Sequence, residues 1–453
     1  MEAPSQNTGS SARPGQIVAI AVPAVFESII SVIIGAIDTK MISGLGKGAV
    51  SAVSFTSQPK LILLSIFFAL GTAVSVFVAQ ALGRQDREEA NAYFQTVLRI
   101  TVSLSLVVGL LAGLLAGPIM SICNRQPDTV GMSVNFFRII MFFLVFNAVS
   151  IVLNAALRGI GKTRLPMISS VAMGAVDIFV NYLLIEGHWG FPKLGVVGDA
   201  VGTVCGMAAA CLVSIALLSR YSDFLTLKGL LAQGRDPEIM NNVGVKAGNA
   251  VVENLFTRIG FLLSSIIVSG LSSDLTAVYS VAMILLGYSF SFGDGLQAAV
   301  LTLTGQSMGA GQYREVRDYV RLSRIAGAVV SVALGAVYIL GARKFFSHYF
   351  QDEKDIAQGI SYTYVAAALA FLQIIRIINV AAMRGMGDAK SPRIMATVCV
   401  LLVNPAVAFM LTSVLPCGVW GIWIASLTSH LCWFTMSCVL EHRCMREALR
   451  LTA

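Results

Sequence analysis

The chain has 453 residues, of which 56% are hydrophobic and only 12% charged, with a formal net charge of +8. Soluble domains carry about a quarter charged residues. An ordinary soluble protein is therefore excluded, and the positive charge reads as basic loops of a polytopic membrane protein, with no nucleic-acid partner.

Polar, turn-rich breaks divide the chain into twelve candidate spans, near 16–40, 49–79, 94–116, 131–157, 166–186, 196–218, 243–270, 275–308, 320–342, 357–383, 392–414 and 418–439. The first fifteen residues are polar and show no cleavable signal peptide. In span one, Ile17 to Ile37 is apolar enough to cross a bilayer, yet it holds Pro23 and Glu27 and ends at Asp38. A carboxylate in hydrocarbon costs at least ~2.5 kcal/mol, so such residues face a protein interior or a water-filled path. Eleven positions separate the two acids. That is about three turns, which points both the same way. Pro23 removes a backbone donor one turn before Glu27 and marks a bend, the hinge of this reading.

Sixteen Lys and Arg residues fall in the terminal tails and even-numbered loops against six in the odd-numbered loops. The positive-inside rule then places both termini in the cytoplasm. The stretch Arg220–Asn242 is the longest polar break and reads as a linker between two halves. The expected organisation is a tail (1–15), an N-lobe (16–218), a linker (219–242), a C-lobe (243–439) and a C-terminal tail (440–453).

The two halves repeat each other. Ala79-Gln80-Ala81-Leu82-Gly83 matches Gly305-Gln306-Ser307-Met308-Gly309 at a displacement of 226, and Leu157-Arg158-Gly159-Ile160-Gly161 matches Met383-Arg384-Gly385-Met386-Gly387 at the same displacement. Glu27 falls on Glu253, Pro166 on Pro392 and Ser43-Gly44-Leu45 on Ser269-Gly270-Leu271; after a three-residue shift, Asn181 falls on Asn404 and Gly198 on Gly421. The repeat fails at Pro23 (Asn249), Asp38 (Ser264) and Pro59 (Leu285). Six spans per half is even, so the halves keep one orientation and are related by an axis along the membrane normal, which suits alternating access. The eight cysteines form no C-x-x-C pair and the four histidines no H-x-x-x-H pattern, so the cysteines read as small core residues. No H-E-x-x-H, G-x-S-x-G or P-loop indicates an enzyme.

These motifs resemble the multidrug and toxic compound extrusion (MATE) family of secondary transporters. The resemblance rests on Asp38 with Leu45-Gly46, on the doubled Gln-x-x-Gly (Gln80–Gly83, Gln306–Gly309), on the doubled loop Leu157–Gly161 and Met383–Gly387, and on Leu194-Gly195-Val196-x-Gly198. It implies an all-α fold of twelve helices in two pseudo-symmetric six-helix lobes around a central cavity. It also implies export of cationic or amphiphilic compounds in exchange for H⁺ or Na⁺, with no cofactor. Carried over from the family, the first-half cavity residues are Asp38, Asn154, Asp177, Asn181 and Thr203, to which the sequence adds Glu27. Asp177 and Asn181 stand in each other's usual places, but at i,i+4 they share a helix face.

Asp38, Asp177 and Asn181 are the expected ion-coupling group, by protonation or as oxygen ligands for Na⁺. A cavity carboxylate that binds a proton loses its attraction for a drug cation, so the two compete. In the second half Glu253 and Asp294 form a possible second cation site, or else a charge-compensated set with Arg258 and Arg376; the family's span-ten carboxylate position is the neutral Gln373. A lipid or lipid-linked oligosaccharide flippase of the wider superfamily is the alternative, but its phosphate-bearing cargo calls for a more cationic cavity. The expected setting is the bacterial inner membrane, with the protein acting as a monomer among membrane lipids.

Overall fold

The computed structural model describes residues 14–124, 127–229, 237–269, 273–415 and 418–450. Arg13 and most of the N-terminal tail, Arg125, Arg235 in the linker, Gly270 and Leu271 of the repeat, and Cys417 lie outside the described residues.

Among the described residues all regular structure is helical. The first half runs α1 (Pro14–Ser43), α2 (Lys47–Gly83), α3 (Arg87–Leu114), α4 (Ala116–Cys123), α5 (Pro127–Phe142), α6 (Leu144–Gly159), α7 (Arg164–Ile185) and α8 (Val196–Tyr221). The second half runs α9 (Pro237–Ser269), α10 (Ser273–Gly309), α11 (Tyr313–Tyr349), α12 (Glu353–Gly385), α13 (Lys390–Ala396), α14 (Asn404–Phe409) and α15 (Gly418–Arg450). Among the described residues, eleven helices or helical runs are long and apolar enough to cross a bilayer; α5 and α6, bent by 53° at Phe143, make a twelfth when counted as one span. The chain is an all-α integral membrane protein.

Most helices overrun the spans read from hydropathy, because hydropathy marks the lipid-contacting stretch while caps mark the helix end. α3 begins at Arg87, where Asp86 accepts a hydrogen bond from the Glu89 amide at 2.9 Å, and Glu88 and Glu89 complement the helix dipole. α15 runs on to Arg450, through most of the expected C-terminal tail. Large apolar side chains stay bare on outer faces, as on α11 at Val329, Val332, Val337 and Leu340, where lipid is the solvent.

The halves repeat in three dimensions at the positions that the motifs mark. α2 and α10 end at Gly83 and Gly309, and α6 and α12 at Gly159 and Gly385. After α6, Gly161 takes φ +79; its amide reaches Arg158 O and the Lys162 amide reaches Leu157 O. After α12, Gly387 takes φ +95, with matching bonds to Arg384 O and from Asp388 to Met383 O. The doubled Arg-Gly-x-Gly loop is thus a helix C-cap whose last glycine must be left-handed. Asp388 then caps α13 through the Lys390 and Ser391 amides. Burial pushes its carboxyl up, but hydrogen bonds from Ser391, Cys444 and Lys390 hold it below the usual carboxylate range.

Two features break the repeat. α12 is continuous where its first-half counterpart is broken at Phe143. The run after α13 contains π-helical turns at 397–403 and 410–414, flanking Pro405, which has no amide for a regular helical bond.

By packing, the described chain forms two compact units that divide at Val22/Pro23, Val78/Ala79, Gln85/Asp86 and Arg258/Ile259, inside α1, at the end of α2 and inside α9, and not within the 219–242 linker. In the unit that starts at Pro23, α7 packs on α8, α3 on α6, and α5 and α6 on α8. Its core includes Phe67, Phe94, Phe137 and Met141, and Gly109 and Gly113 of α3 leave room for the Met141 carbonyl and the Phe142 ring at the bend. In the other unit α12 is central, packed by α10, α11 and α15 around Trp423, Tyr362 and Phe346. There the Gln-x-x-Gly motifs interlock: a Cβ on Gly83 would lie 2.0 Å from the Gln306 carbonyl, and one on Gly309 1.9 Å from the Gln80 carbonyl. The Gln80 side chain donates to Gly385 O at 2.9 Å, so the two doubled motifs meet.

Candidate functional site

The site is built on α7 and α8, whose approach is set by three glycines spaced four apart on α8. A Cβ on Gly198 would lie 2.6 Å from Leu184 O, one on Gly202 1.9 Å from Asn181 Oδ1, and one on Gly206 3.0 Å from Asp177 Cβ. Small residues at this spacing let helix backbones approach closely in a membrane, where no hydrophobic force draws helices together. Asp177 and Asn181 are thereby pressed against α8.

Asn181 is the hub. Its amide nitrogen donates to Asp38 Oδ1 at 2.8 Å, Asp199 Oδ1 at 3.2 Å and Asp177 Oδ1 at 3.3 Å. The amide has two hydrogens for three carboxyl groups. Thr203, one turn beyond Asp199 on α8, lies beside Asp177. Asp38 and Asp199 accept from the same amide nitrogen, which brings their carboxyl groups close together. Asn181 Oδ1 and Asp199 Oδ2, on fully buried residues, have no hydrogen-bond partner among the described residues. Two buried acceptors without a donor favour a cation or a proton. Lys60, half-buried on α2, acts electrostatically on Asp38, Asp199 and Asp177. The oxygens of Asp38, Asp177 and Asn181 are hard ligands of the kind Na⁺ accepts. Among the described residues no group of three or more His, Cys, Asp and Glu side chains is disposed to hold a metal ion.

Four predicted residues therefore meet: Asp38, Asp177, Asn181 and Thr203. Glu27 does not join them. It pairs with Arg158 at 2.6 Å and accepts from Ser170 at 3.0 Å, so it is neutralised where the sequence reading placed it in the cavity. The eleven positions from Glu27 to Asp38 also separate them by about 16 Å along the helix. Asn154 lies in a different network, accepting from Ser214 at 2.9 Å, while Ser214 meets Ser169 at 2.7 Å. Glu253 is buried in the same compact unit, whereas Asp294, which accepts from Gln297 at 3.1 Å, belongs to the other. Pro23 lies inside α1, at the boundary of the two units.

Asp199 and Lys60 were not anticipated. Asp199 occupies the first turn of α8, where an acid reads as a dipole partner, and Lys60 sits inside an otherwise apolar span. The signal available for both was charge at membrane depth. The second half keeps the scaffold of the site without its charge. Ser264, the counterpart of Asp38, donates to Asn404, the counterpart of Asn181, at 3.2 Å. The counterparts of Asp177, Asp199 and Lys60 at displacements of 223, 223 and 226 are Val400, Ile422 and Leu286. A separate cavity of about 550 Å³, lined by Gln16, Gln85, Gln306, Gln312 and Tyr319, holds none of the predicted residues.

The MatE family model matches residues 23–183 and again residues 250–410, which reproduces the internal repeat at a displacement one residue from that of the loop motifs. The chain is 22% identical over 415 residues to the "Probable multidrug resistance protein NorM" of Thermotoga maritima, covering 91% of this chain and 88% of the relative. It is 26% identical over 401 residues to the NorM of Pseudomonas putida, covering 85% and 83%. Among solved structures, a MATE protein in the bent conformation superposes with a TM-score of 0.88 at 17% identity, over 97% of each chain. With two family matches that together take in most of the sequence and correspond to its two halves, the chain belongs to the MatE family of membrane transporters, which are not enzymes.

Proposed function

We propose that the protein is a secondary active antiporter that exports cationic or amphiphilic small molecules in exchange for protons. It works as a monomer, by rocker-type alternating access, in a bacterial cytoplasmic membrane with both termini in the cytoplasm. The names of the NorM relatives support multidrug efflux. The observation that carries the reading is the cluster of Asp38, Asp177 and Asp199 about Asn181. Three acids beside one lysine attract an organic cation and disfavour a phosphate-bearing lipid cargo.

The proton is chosen over Na⁺ because three carboxyl groups converge on one amide nitrogen, a crowding of like charge that proton uptake relieves. Proton uptake from outside neutralises the acids, removes the attraction for the cargo and releases it. Pro23, at the unit boundary, is the position at which α1 yields. A helix with a missing backbone bond bends there at lower cost.

Reconstituted protein with a fluorescent organic cation, under separately imposed H⁺ and Na⁺ gradients, tests the reading. Uphill cation movement should follow the proton gradient alone. Movement driven by Na⁺ alone would transfer the coupling to that ion, and no uphill movement under either gradient would refute antiport.

A further inference from the structure

The geometry points to a binding site for a soft monovalent metal ion, Cu⁺ or Ag⁺, formed by Cys399, Cys432 and Met436. It is independent of the acid cluster and lies wholly within the other compact unit. Cys399 Sγ lies 3.6 Å from Cys432 Sγ and 3.6 Å from Met436 Sδ. Cys432 and Met436, four apart on α15, present two sulfurs from one helix face to a third on the π-helical turn at 397–403.

That turn fixes the cysteine. The Asn404 amide bonds Cys399 O, and the Ser429 hydroxyl donates to the same carbonyl at 2.7 Å. Cys399 is fully buried, and Met383, Met386 and Met395 belong to the same hydrophobic cluster as the three sulfur residues. Thiolate and thioether sulfur selects Cu⁺ among biological metals. Two metal–thiolate bonds of about 2.3 Å at the ~120° angle of a three-coordinate ion would put the sulfurs ~4.0 Å apart, so the observed spacing needs to open by ~0.4 Å.

The charge balance inside the bilayer is the second argument. One ion displaces two protons from the thiols to water and leaves a complex of charge −1. Arg376 lies on the face of Trp433, 3.7 Å from the ring centroid, and its guanidinium acts electrostatically on Cys399. Its positive charge next to the sulfurs lowers the cost of holding the anionic complex at hydrocarbon depth. No electron transfer is involved. Ordinary core thiols, the plain alternative, would be matched by apolar neighbours and not by a buried guanidinium.

The test uses the full-length reduced protein in detergent, without oxygen, titrated with Cu⁺ buffered by a bathocuproine competitor. The wild type should take up one Cu⁺ per chain, with a first shell of sulfur only in the Cu K-edge spectrum. Cys399→Ser and Cys432→Ser should each weaken uptake at least ~100-fold. Arg376→Met, which removes only the outer charge, should weaken it by about 10- to 100-fold. Cys123→Ser, a remote exposed cysteine, should leave it unchanged. Equal uptake by the Cys399→Ser/Cys432→Ser double variant, or a nitrogen–oxygen shell in the wild type, would overturn the site. The wild-type spectrum decides the matter even if the variants fail to fold.

Discussion

Asp38→Asn will reduce drug efflux to the level of cells lacking the protein, while the amount in the membrane stays at wild type. An asparagine neither releases a proton nor attracts a cation, yet it still fits. Asp38 is half-buried and bonded through one oxygen to Asn181, so an amide oxygen can accept that bond without leaving a void. What disappears is one of the three carboxyl groups gathered about Asn181, and with it a charge and a protonation site. Efflux and membrane abundance measured on the same cells check the prediction. Glu27→Gln is the contrasting case, because it removes the ion partner of Arg158 and Ser170 and nothing from the acid cluster. Breaking a buried ion pair costs stability. Arg158 keeps some solvent exposure, which softens that cost. Its defect should therefore show as lower protein abundance with efflux per molecule retained.

Gly202→Ala will damage transport nearly as severely, although the residue carries no chemistry. The added methyl would lie 1.9 Å from Asn181 Oδ1, 2.7 Å from its Cγ and 3.2 Å from its backbone nitrogen. Asn181 is fully buried and cannot swing away, so α7 and α8 must separate or the amide must leave its three carboxyl partners. Overpacking of this kind costs about 1–3 kcal/mol. Separation of the hub from even one acid should lower transport roughly tenfold, because positioning errors of about an ångström are that costly. The expected result is a lower melting temperature in detergent together with weakened efflux. Gly35→Ala, on a glycine with no neighbour within 4 Å of the added methyl, should change neither.

Much of this was legible in the sequence, for reasons that differ by residue. The spans could be read because lipid demands long apolar runs, and the repeat because helix caps and glycine crossings tolerate few substitutes. Gly161 and Gly387 must be left-handed, and Gly83 and Gly309 must admit a facing carbonyl. Asp38, Asp177, Asn181 and Thr203 could be grouped through the family resemblance. Helical periodicity supported only the 177/181 pair and misled for Glu27, which shares a helix with Asp38 but has its own partner on α6. Asn154, placed in the cavity by the same resemblance, bonds Ser150 and Ser214 in a network of its own. Asp199 was hidden by its position at a helix start. The bend at Phe143 left no trace, since the residue there is neither proline nor glycine and the glycines that make room for it, Gly109 and Gly113, lie on α3.

Proton release on cargo binding tests the competition for these acids most directly. Purified protein in weakly buffered detergent near neutral pH, mixed with tetraphenylphosphonium, should release close to one proton per cation bound, and Asp38→Asn should release none. Full binding without proton release in the wild type would contradict a site at which cargo and proton exclude each other.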